Sequence, residues 1–299
     1  MSILKDNVNL GPSELRRLIS KGITIAPGVF NGITAIIAER TGFRALYLSG
    51  SGIAGSMGLP DLSLTTLSEV SEEVRKIASV TRLPVIVDVD TGFGEALNVI
   101  RTVRMMESSG ASAIHIEDQE LPKKCGHLPG KKLIPENEMV KKIIAAVESR
   151  KNSDFIIIAR TDARAVEGLE DAIRRANLYL EAGADMIFPE ALETREEFGK
   201  FSKEVKAPLL ANMTEFGKSP LLSASDLENL GYRIVIFPLT VFRASLLTAE
   251  NVYREIFEKG TQSGILEKLM TRKRFYDLIG YDEYEAEDKN ISDRGSRIT

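Results

Sequence analysis

Eight short apolar runs of strand length recur along the chain and alternate with segments that have helical spacing. The runs are rich in Val and Ile, and they are continuously apolar rather than alternately apolar and polar. They are Ile23–Pro27, Ala45–Ser49, Pro84–Asp90, Ser112–Asp118, Phe155–Thr161, Asp185–Glu190, Pro208–Met213 and Arg233–Pro238. Continuous apolar strands that alternate with helices are typical of a parallel sheet covered by helices. The order of the elements therefore predicts an α/β protein.

The connections from helix to strand repeat a common pattern. SSGASAI, EAGADMI and ENLGYRIV each place a glycine directly after a helical segment and before the next strand. Such a glycine ends a helix in the left-handed conformation. Eight βα units predict a (β/α)8 barrel of the TIM type, formed as a single domain over residues 1–299. An open doubly wound sheet is the alternative, although no GxGxxG sequence follows the first strand.

The chain after the eighth strand contains more helical sequence than one barrel helix needs. LTVFRASLLTAENVYREIFEKG supplies that helix, and SGILEKLMTRKRFYDLIG has the same apolar spacing in a second segment. We expect this extra C-terminal helix, about residues 261–280, to pack on a neighbouring subunit. Residues 281–299 are polar and charged, and we expect them to form a mobile tail.

Composition excludes several classes of partner and site. Lys and Arg total 39 and Asp and Glu total 43, so the net charge of −4 gives no reason to expect nucleic acid or an anionic membrane. The single cysteine excludes an internal disulfide, and the first residues, MSILKDNVNLGPSEL, contain no signal-peptide run. We therefore expect a cytoplasmic protein. Two histidines and one cysteine cannot build a three-histidine zinc site, so any metal should be a hard cation held by carboxylates.

Acidic residues stand at the ends of several predicted strands, where barrel enzymes carry their chemistry. Asp88 and Asp90 lie two residues apart on one strand, so their side chains should point the same way. Two adjacent carboxylates repel each other unless a cation lies between them. The pair therefore predicts a Mg²⁺ or Mn²⁺ site, assisted by Glu117. The alternative is a pair of solvated loop acids.

The sequence KKCGH, over Lys123–His127, lies in the long loop after the fourth strand. Lysines and a histidine around a thiol predict a lowered pKa for Cys125, which could then move a proton near neutrality. The alternative is a small buried hydrophobic residue. Lys131 and Lys132 extend the charge of this loop, which is either simply solvated or attracts a polyanionic substrate. His115 alternates with isoleucines and is interpreted as a hydrogen-bonded structural residue.

Arginines and apolar residues complete the strand ends. Arg160 ends the fifth strand and Arg243 follows the eighth, positions that suit the bidentate capture of a carboxylate. Glu190 ends the sixth strand, so Phe188, two residues earlier, should face the same side. Ile236 stands in the same relation to the end of strand eight. Together they predict an apolar floor beneath the polar groups.

The chain resembles the isocitrate lyase and phosphoenolpyruvate mutase superfamily, and within it the branch that cleaves 2-methylisocitrate. The resemblance extends from about Pro27 to about Leu278. KKCGH is its most specific motif, because the mutases lack that cysteine loop. The other motifs are YLSGS, GLPD, DVDTGFG, IEDQ, ARTDA, FPE, NMTEFGKSP and FPLTVFRA. The family also exchanges a C-terminal helix between the subunits of a homotetramer, which agrees with the surplus helix.

The resemblance implies a role for each matching residue. Ser49, Gly50 and Ser51 would hold a 2-oxo acid carboxylate, although Ser51 departs from the second glycine of the lyases. Asp88 and Asp90 would hold Mg²⁺, with Mn²⁺ as a substitute. Cys125 would be the proton donor. The residues implied to line the substrate site are Cys125, Gly126, Arg160, Glu190, Asn212, Met213, Thr214, Arg243 and Arg272.

The implied activity is the retro-aldol cleavage of 2-methylisocitrate to pyruvate and succinate, in the methylcitrate cycle of propionate catabolism. Tyr47 is one candidate for the base. At the positions of Phe188 and Ile236 the resemblance associates apolar groups with 2-methylisocitrate, and a Trp and a Thr with isocitrate. Isocitrate lyase and oxaloacetate decarboxylase are the alternatives among enzymes. The alternative outside enzymes is a barrel that only binds a dicarboxylate. A Schiff-base aldolase is disfavoured because no strand carries an inward lysine.

Overall fold

A computed structural model describes residues 9–296 of the chain. Each of the eight predicted apolar runs contains a strand, and the two disagree only by a few residues at the ends. The strands are β1 Thr24–Val29, β2 Leu46–Leu48, β3 Val85–Asp88, β4 Ala113–Glu117, β5 Ile156–Thr161, β6 Met186–Pro189, β7 Leu210–Asn212 and β8 Ile234–Phe237. The prediction of eight strands in α/β order is confirmed.

The strands form one parallel sheet in the order β6-β5-β4-β3-β2-β1-β8-β7. The two ends of this sheet meet, because Ile187 of β6 bridges Leu209 beside β7 and its amide donates to the Pro208 carbonyl at 3.1 Å. A nearly closed eight-stranded barrel results, and the open doubly wound sheet is excluded. The registers place Glu117 beside Arg160 and Arg160 beside Phe188.

Helices surround the barrel. They are α1 Gly11–Lys21, α2 Gly32–Thr41, α3 Gly50–Ser56, α4 Leu67–Ala78, α5 Ala96–Ser109, α6 Glu136–Ser149, α7 Leu169–Glu181, α8 Arg195–Glu204, α9 Ala224–Asn229, α10 Thr240–Lys259, α11 Arg272–Ile279 and α12 Tyr281–Gly295. Short 3₁₀ helices cover Ala163–Ala165 and Ser263–Lys268. Gly110 ends α5 with a φ of 96°, as the glycine pattern predicts.

Apolar side chains form two separate layers. The outer layer lies between the strands and the helices and includes Ile114 and Ile116 of β4. The inner layer fills the barrel, and α1 adds Leu15 and Leu18 to it. The helix that precedes the first strand therefore covers the end of the barrel at which the strands begin, and it leaves the opposite end to polar residues.

The C-terminal part of the chain, for which we expect a mobile tail from residue 281, contains a further helix. Residues 281–295 form α12, which starts at Gly280, a residue with a φ of 70°. Asp282 and Glu283 lie in its first turn, where negative charge interacts favourably with the helix dipole. The expected extra helix, about residues 261–280, consists of a 3₁₀ helix followed by α11. The start of the N-terminal segment, residues 1–8, and the end of the tail, residues 297–299, lie outside the described residues.

Apolar side chains lie exposed on α10, which has no buried residue. Phe257 is 91% exposed and Tyr253 is 73% exposed, which is unusual for the last helix of a barrel. Across residues 9–296, no helix combines the length and the apolar character that crossing a membrane requires.

Candidate functional site

The polar strand ends converge on one end of the barrel. Asp88, Glu117 and Arg160 lie on the neighbouring strands β3, β4 and β5. Glu190 follows β6, and Asn212 ends β7. Ion pairs and hydrogen bonds connect Glu117 to Arg160, Arg160 to Glu190, and Glu190 to Asn212. The acidic strand ends were predicted to lie at one end of the barrel, and these contacts join them into a single buried cluster.

The two aspartates face a common point, though not through strand alternation. β3 ends at Asp88, and Asp90 lies beyond it in the left-handed conformation with a φ of 47°. The Asp90 amide donates to Asp88 Oδ1 at 3.0 Å, and the Gly50 amide donates to Asp88 Oδ2 at 3.1 Å. A Cβ at Gly50 would lie 3.1 Å from Asp88 Oδ2 and 3.4 Å from Asp90 Oδ1. Glycine at this position keeps the space in front of both carboxylates clear.

The charge state of these acids depends on their neighbours. Burial alone would raise the pKa of Asp88, but His115, Lys123 and Arg160 together hold it at about 2. His115 is neutral at pH 7, because burial lowers its pKa to about 4, so Lys123 and Arg160 supply the lasting positive charge. Burial raises the pKa of Asp90. The ion pair with Lys123 Nζ at 2.9 Å lowers this pKa, but by less than burial raises it.

Glu117 adds two further oxygens beside the aspartates. It is fully buried, and in residues 9–296 neither Oε1 nor Oε2 accepts a hydrogen bond, although Arg160 Nη1 lies 3.1 Å from Oε2. Burial raises the pKa of Glu117 well above its ordinary value. Over the same stretch, no three acidic, histidine or cysteine side chains are arranged to chelate a metal unaided. An oxygen-only set of Asp88, Asp90 and Glu117 fits a hard cation that keeps several water ligands, as Mg²⁺ does.

Arg160 lies at the centre of the cluster. Its Nε is 3.0 Å from Asp162 Oδ2, and its Nη2 is 3.4 Å from Glu190 Oε2. Burial disfavours the ionised form of Glu190, but Arg160 and His127 hold the pKa of this carboxyl well below its usual value. Asn212 Nδ2 donates to Glu190 Oε2 at 3.2 Å. The arrangement supplies fixed positive charge and amide donors for an anionic substrate.

An aromatic group lies beneath the polar cluster. The Tyr47 hydroxyl is 2.8 Å from His115 Nε2, which confirms a hydrogen-bonded role for this histidine. Phe188 contacts His115 with ring centroids 5.3 Å apart, and the Arg160 guanidinium lies 5.1 Å from the Phe188 centroid. Ile236 belongs to the same buried layer, so the predicted apolar floor is present. Burial raises the pKa of Tyr47 well above 10, which disfavours the tyrosinate that a base would need.

Cys125 lies partly buried in the loop between β4 and α6. The prediction of a lowered thiol pKa is wrong, because burial dominates and raises the pKa of Cys125 above its ordinary value. Two of the loop lysines, Lys123 and Lys131, bind carboxylates. Lys123 forms ion pairs with Asp61 and Asp90, and Lys131 forms one with Asp162. A raised pKa keeps the thiol protonated at neutral pH, which suits a proton donor.

The glycine after the cysteine sits directly on the cluster. A Cβ at Gly126 would lie 2.3 Å from Glu190 Cγ and 2.6 Å from Arg160 Nη2, so only glycine allows this approach. His127 Nε2 lies 3.0 Å from Glu190 Oε1 on the other side. The cysteine loop therefore covers the cluster. The contacts of His127 and of Asp61 were not predicted, although these residues belong to the motifs KKCGH and GLPD.

Ser49 and Ser51 occupy the predicted place near the aspartates. Ser49 is the buried residue before α3, and Ser51 lies in the first turn of that helix, partly exposed. Gly50 between them contacts Asp88 through its amide. The three residues therefore border the carboxylates, as the resemblance implies for residues that hold a substrate carboxylate.

The remaining predicted site residues differ in how close they lie to the cluster. The Met213 side chain packs in the outer apolar layer, so only its backbone can face the site. The Thr214 amide donates to Asn212 Oδ1 at 3.0 Å, which ties both residues together. Arg243 donates to the Glu215 carbonyl at 2.7 Å and pairs with its carboxylate at 3.0 Å. Arg272 begins α11 and is exposed to solvent, so the structure does not bring it into the cluster.

The fold and the site together define a (β/α)8 barrel that carries a buried cluster of charged side chains at the carboxyl ends of its strands. A sequence profile of the family described as phosphoenolpyruvate phosphomutase matches residues 15–257. The 2-methylisocitrate lyase of Aeropyrum pernix is 60% identical over 285 residues, covering 95% of this chain and 92% of that protein. The chain therefore belongs to the phosphoenolpyruvate mutase and isocitrate lyase superfamily, and it is a lyase.

Other relatives agree with this assignment. The 2-methylisocitrate lyase of Bacillus subtilis is 46% identical, covering 93% of this chain and 92% of that protein. Among solved structures, a 2,3-dimethylmalate lyase superposes with a TM-score of 0.88 at 35% identity, covering 94% and 95% of the two chains. A phosphonopyruvate hydrolase in complex with oxalate and Mg²⁺ superposes with a TM-score of 0.84 at 33% identity, covering 92% and 96%.

Proposed function

We propose that the chain cleaves 2-methylisocitrate to pyruvate and succinate by retro-aldol chemistry. The observation that carries the proposal is the seating of the Cys125–Gly126 loop on Arg160 and Glu190, beside the paired aspartates. This arrangement brings a protonated thiol close to both a carboxylate-binding arginine and a set of cation ligands. The names of the relatives, which are 2-methylisocitrate lyases over nearly the full chain, support this substrate.

We infer that Asp88 and Asp90 hold Mg²⁺, in part through water molecules and with the help of Glu117, and that Mn²⁺ can replace it. When bound, the cation would favour the alkoxide form of the substrate hydroxyl. The Oδ atoms of both aspartates face the space beside Gly50, which supports this assignment. Burial raises the pKa of Asp90 and of Glu117, and the nearby Lys123 and Arg160 do not offset it, so a further positive charge would be favourable there.

In the proposed reaction the bond between C2 and C3 of the substrate breaks. The C2 hydroxyl loses its proton and becomes the keto oxygen of pyruvate, while the electron pair of the broken bond moves to C3. Arg160, Asn212 and Thr214 would stabilise the carboxylate next to C3. Cys125 would then transfer its thiol proton to C3, giving succinate. Tyr47 is the candidate base. Because its hydroxyl stays protonated at neutral pH, it would accept the C2 hydroxyl proton while passing its own proton to His115 Nε2, 2.8 Å away.

We propose that the 2-oxo acid carboxylate binds beside Ser49, Gly50 and Ser51, where an amide already faces Asp88. Glu190 would orient Asn212 and Arg160 rather than contact an anion directly, because it is ionised, accepts a hydrogen bond from Asn212 and forms an ion pair with Arg160. Met213 would contribute its backbone. Gly126 would contribute a backbone contact to the substrate beside Glu190 and Arg160.

We further propose a cytoplasmic homotetramer in which the segment of about residues 261–280 packs on a neighbouring subunit. Two features support this assembly: the exposed apolar side chains of α10, and the position of α11 beyond the barrel. Arg272, exposed in this subunit, and Arg243, half-buried beside Glu215, would then complete a substrate site across the interface.

The proposal is tested by assaying the purified protein on 2-methylisocitrate and on isocitrate, before and after dialysis against EDTA. We expect pyruvate and succinate from 2-methylisocitrate, loss of activity in EDTA, and recovery with Mg²⁺ or Mn²⁺. Full activity after chelation would remove the metal from the mechanism. Glyoxylate formed from isocitrate at an equal or higher rate would assign the chain to isocitrate cleavage, and no turnover of either compound would favour a binding function.

A further inference from the structure

Two adjacent lysines of the cysteine loop have opposite environments. Lys132 is exposed, whereas Lys131 is buried, with 7% of its surface exposed. The Lys131 ammonium lies 2.9 Å from Asp162 Oδ1 and donates a hydrogen bond to the Gly126 carbonyl. A buried ammonium is costly unless each of its partners is fixed, so the position of this group is informative.

Asp162, the carboxylate partner of Lys131, is anchored through its backbone. The Asp162 amide donates to Asp118 Oδ1 at 2.9 Å, and the Tyr179 hydroxyl donates to Asp118 Oδ2 at 2.7 Å. Burial disfavours an ionised Asp162, but Arg160 and Lys131 keep the pKa of Asp162 below its ordinary value. The ammonium therefore binds an ionised carboxylate that also accepts from Arg160 Nε at 3.0 Å and whose backbone is anchored to Asp118, the residue after β4.

The carbonyl partner of Lys131 determines where the thiol lies. Gly126 touches Glu190 and Arg160 so closely that no side chain would fit, and its carbonyl points to Lys131. Cys125 is the preceding residue, and its carbonyl accepts from the Leu128 amide at 2.9 Å in a tight turn. A shift of the Gly126 carbonyl would therefore displace the Cys125 side chain from the strand ends.

We propose that Lys131 is a positioning residue that clamps the Gly126 carbonyl to Asp162 and thereby places the Cys125 thiol for proton transfer. The inference rests on the proposed proton-donor role of Cys125. A purely structural lysine that only neutralises Asp162 would contribute to stability and leave the thiol environment unchanged. Because the chain contains one cysteine, thiol alkylation reports on this environment directly and without substrate.

The test replaces Lys131 by Met, which keeps the length of the side chain without a donor, and by Gln, which keeps a donor without charge. Lys132→Met is the matched control on the same loop. Iodoacetamide alkylation is followed by mass spectrometry at a temperature well below the melting point of every variant. We expect both Lys131 variants to be alkylated at least about fivefold faster than the parent, because a released loop exposes its thiol.

The same variants are assayed on 2-methylisocitrate. A displaced proton donor should lower kcat by about a hundredfold, with a much smaller change in KM. The control should differ from the parent by less than about twofold in both measurements. If Lys131→Met does not fold, Lys131→Gln decides the matter, since it leaves a polar partner for Asp162.

Folded Lys131 variants with parental alkylation rates and parental kcat would overturn the inference. A variant that only melts earlier would also overturn it, since that is the behaviour of a structural lysine. The proposed function fails in a different way, namely if the parent itself does not cleave 2-methylisocitrate. The alkylation rates would then still show whether Lys131 holds the loop.

Discussion

Replacing Phe188 by Trp should shift the substrate preference from 2-methylisocitrate towards isocitrate. Phe188 is fully buried in the barrel, and Arg160 lies 5.1 Å above the centre of its ring. His115 closes one edge of the ring with centroids 5.3 Å apart, and Ile236 belongs to the same layer. A larger indole has no free volume sideways, so it must extend towards the polar cluster, where the substrate methyl group would lie.

The size of the effect follows from the methyl group. One methyl in an apolar recess is worth about 1–3 kcal/mol, so the parent should prefer 2-methylisocitrate in kcat/KM by at least about tenfold. If Trp fills the recess, this preference should fall to about one, mainly because kcat/KM for 2-methylisocitrate decreases. Overfilling a well-packed core also costs about 1–3 kcal/mol of the free energy of unfolding.

The assay measures kcat/KM for both substrates and the melting temperature of each variant. Phe198→Trp is the matched control, because Phe198 is equally buried but lies in the outer layer of α8 against Tyr232. The Phe198→Trp variant should lose stability and keep the parental ratio of kcat/KM for 2-methylisocitrate to kcat/KM for isocitrate. The reasoning is refuted if folded Phe188→Trp keeps the parental ratio within about twofold, or if the parent shows no preference for 2-methylisocitrate.

The other predictions concern the thiol and the assembly. Cys125→Ser should fold and lose at least about a hundredfold in kcat, and turnover within about tenfold of the parent would exclude a proton-donor role. Burial raises the pKa of Cys125, so the alkylation rate should reach its midpoint above the ordinary thiol value of about 8.5; a midpoint below it would contradict the burial argument. The raised value also means that the thiol contributes stability below pH 8.5 and loses it as the pH rises through the folded pKa. Truncation after Gly260 should give smaller or insoluble species by light scattering, whereas an unchanged, soluble assembly would show that the removed segment is not an interface.

The fold was predictable because the strands carry a strong local signal. Each strand is continuously apolar and rich in β-branched residues, a pattern that survives errors of a few residues at the ends. α1 was not predicted, although Leu15 and Leu18 follow Pro12 with helical spacing. Its apolar side chains are few because it covers only one end of the barrel. The polar and charged sequence of residues 281–299 predicts a mobile tail, and α12 was not predicted because it buries no residue that an apolar pattern could mark.

The site was predictable in its residue types but not in its pairings. The lysines next to Cys125 in sequence suggested a lowered thiol pKa. Folding instead directs Lys123 to Asp61, 62 residues away, and Lys131 to Asp162, 31 residues away. Such pairings depend on which strand ends meet, so local charge density does not predict them. The distinction matters chemically, because a thiol shielded from those lysines remains protonated.

The shifts in pKa across the cluster show where further positive charge would be most favourable. Asp162 and Glu190, which lie beside Arg160, have a lowered pKa. Asp90 and Glu117 have a raised pKa despite nearby cationic side chains, because burial and neighbouring carboxylates outweigh those cations. A cation that carried two charges would act on these two acids most strongly, since each is buried and faces the same region as Asp88. Lys123 already pairs with Asp90 and Arg160 with Glu117, yet the pKa of both acids stays raised, so a divalent cation from solution would still be favoured beside them.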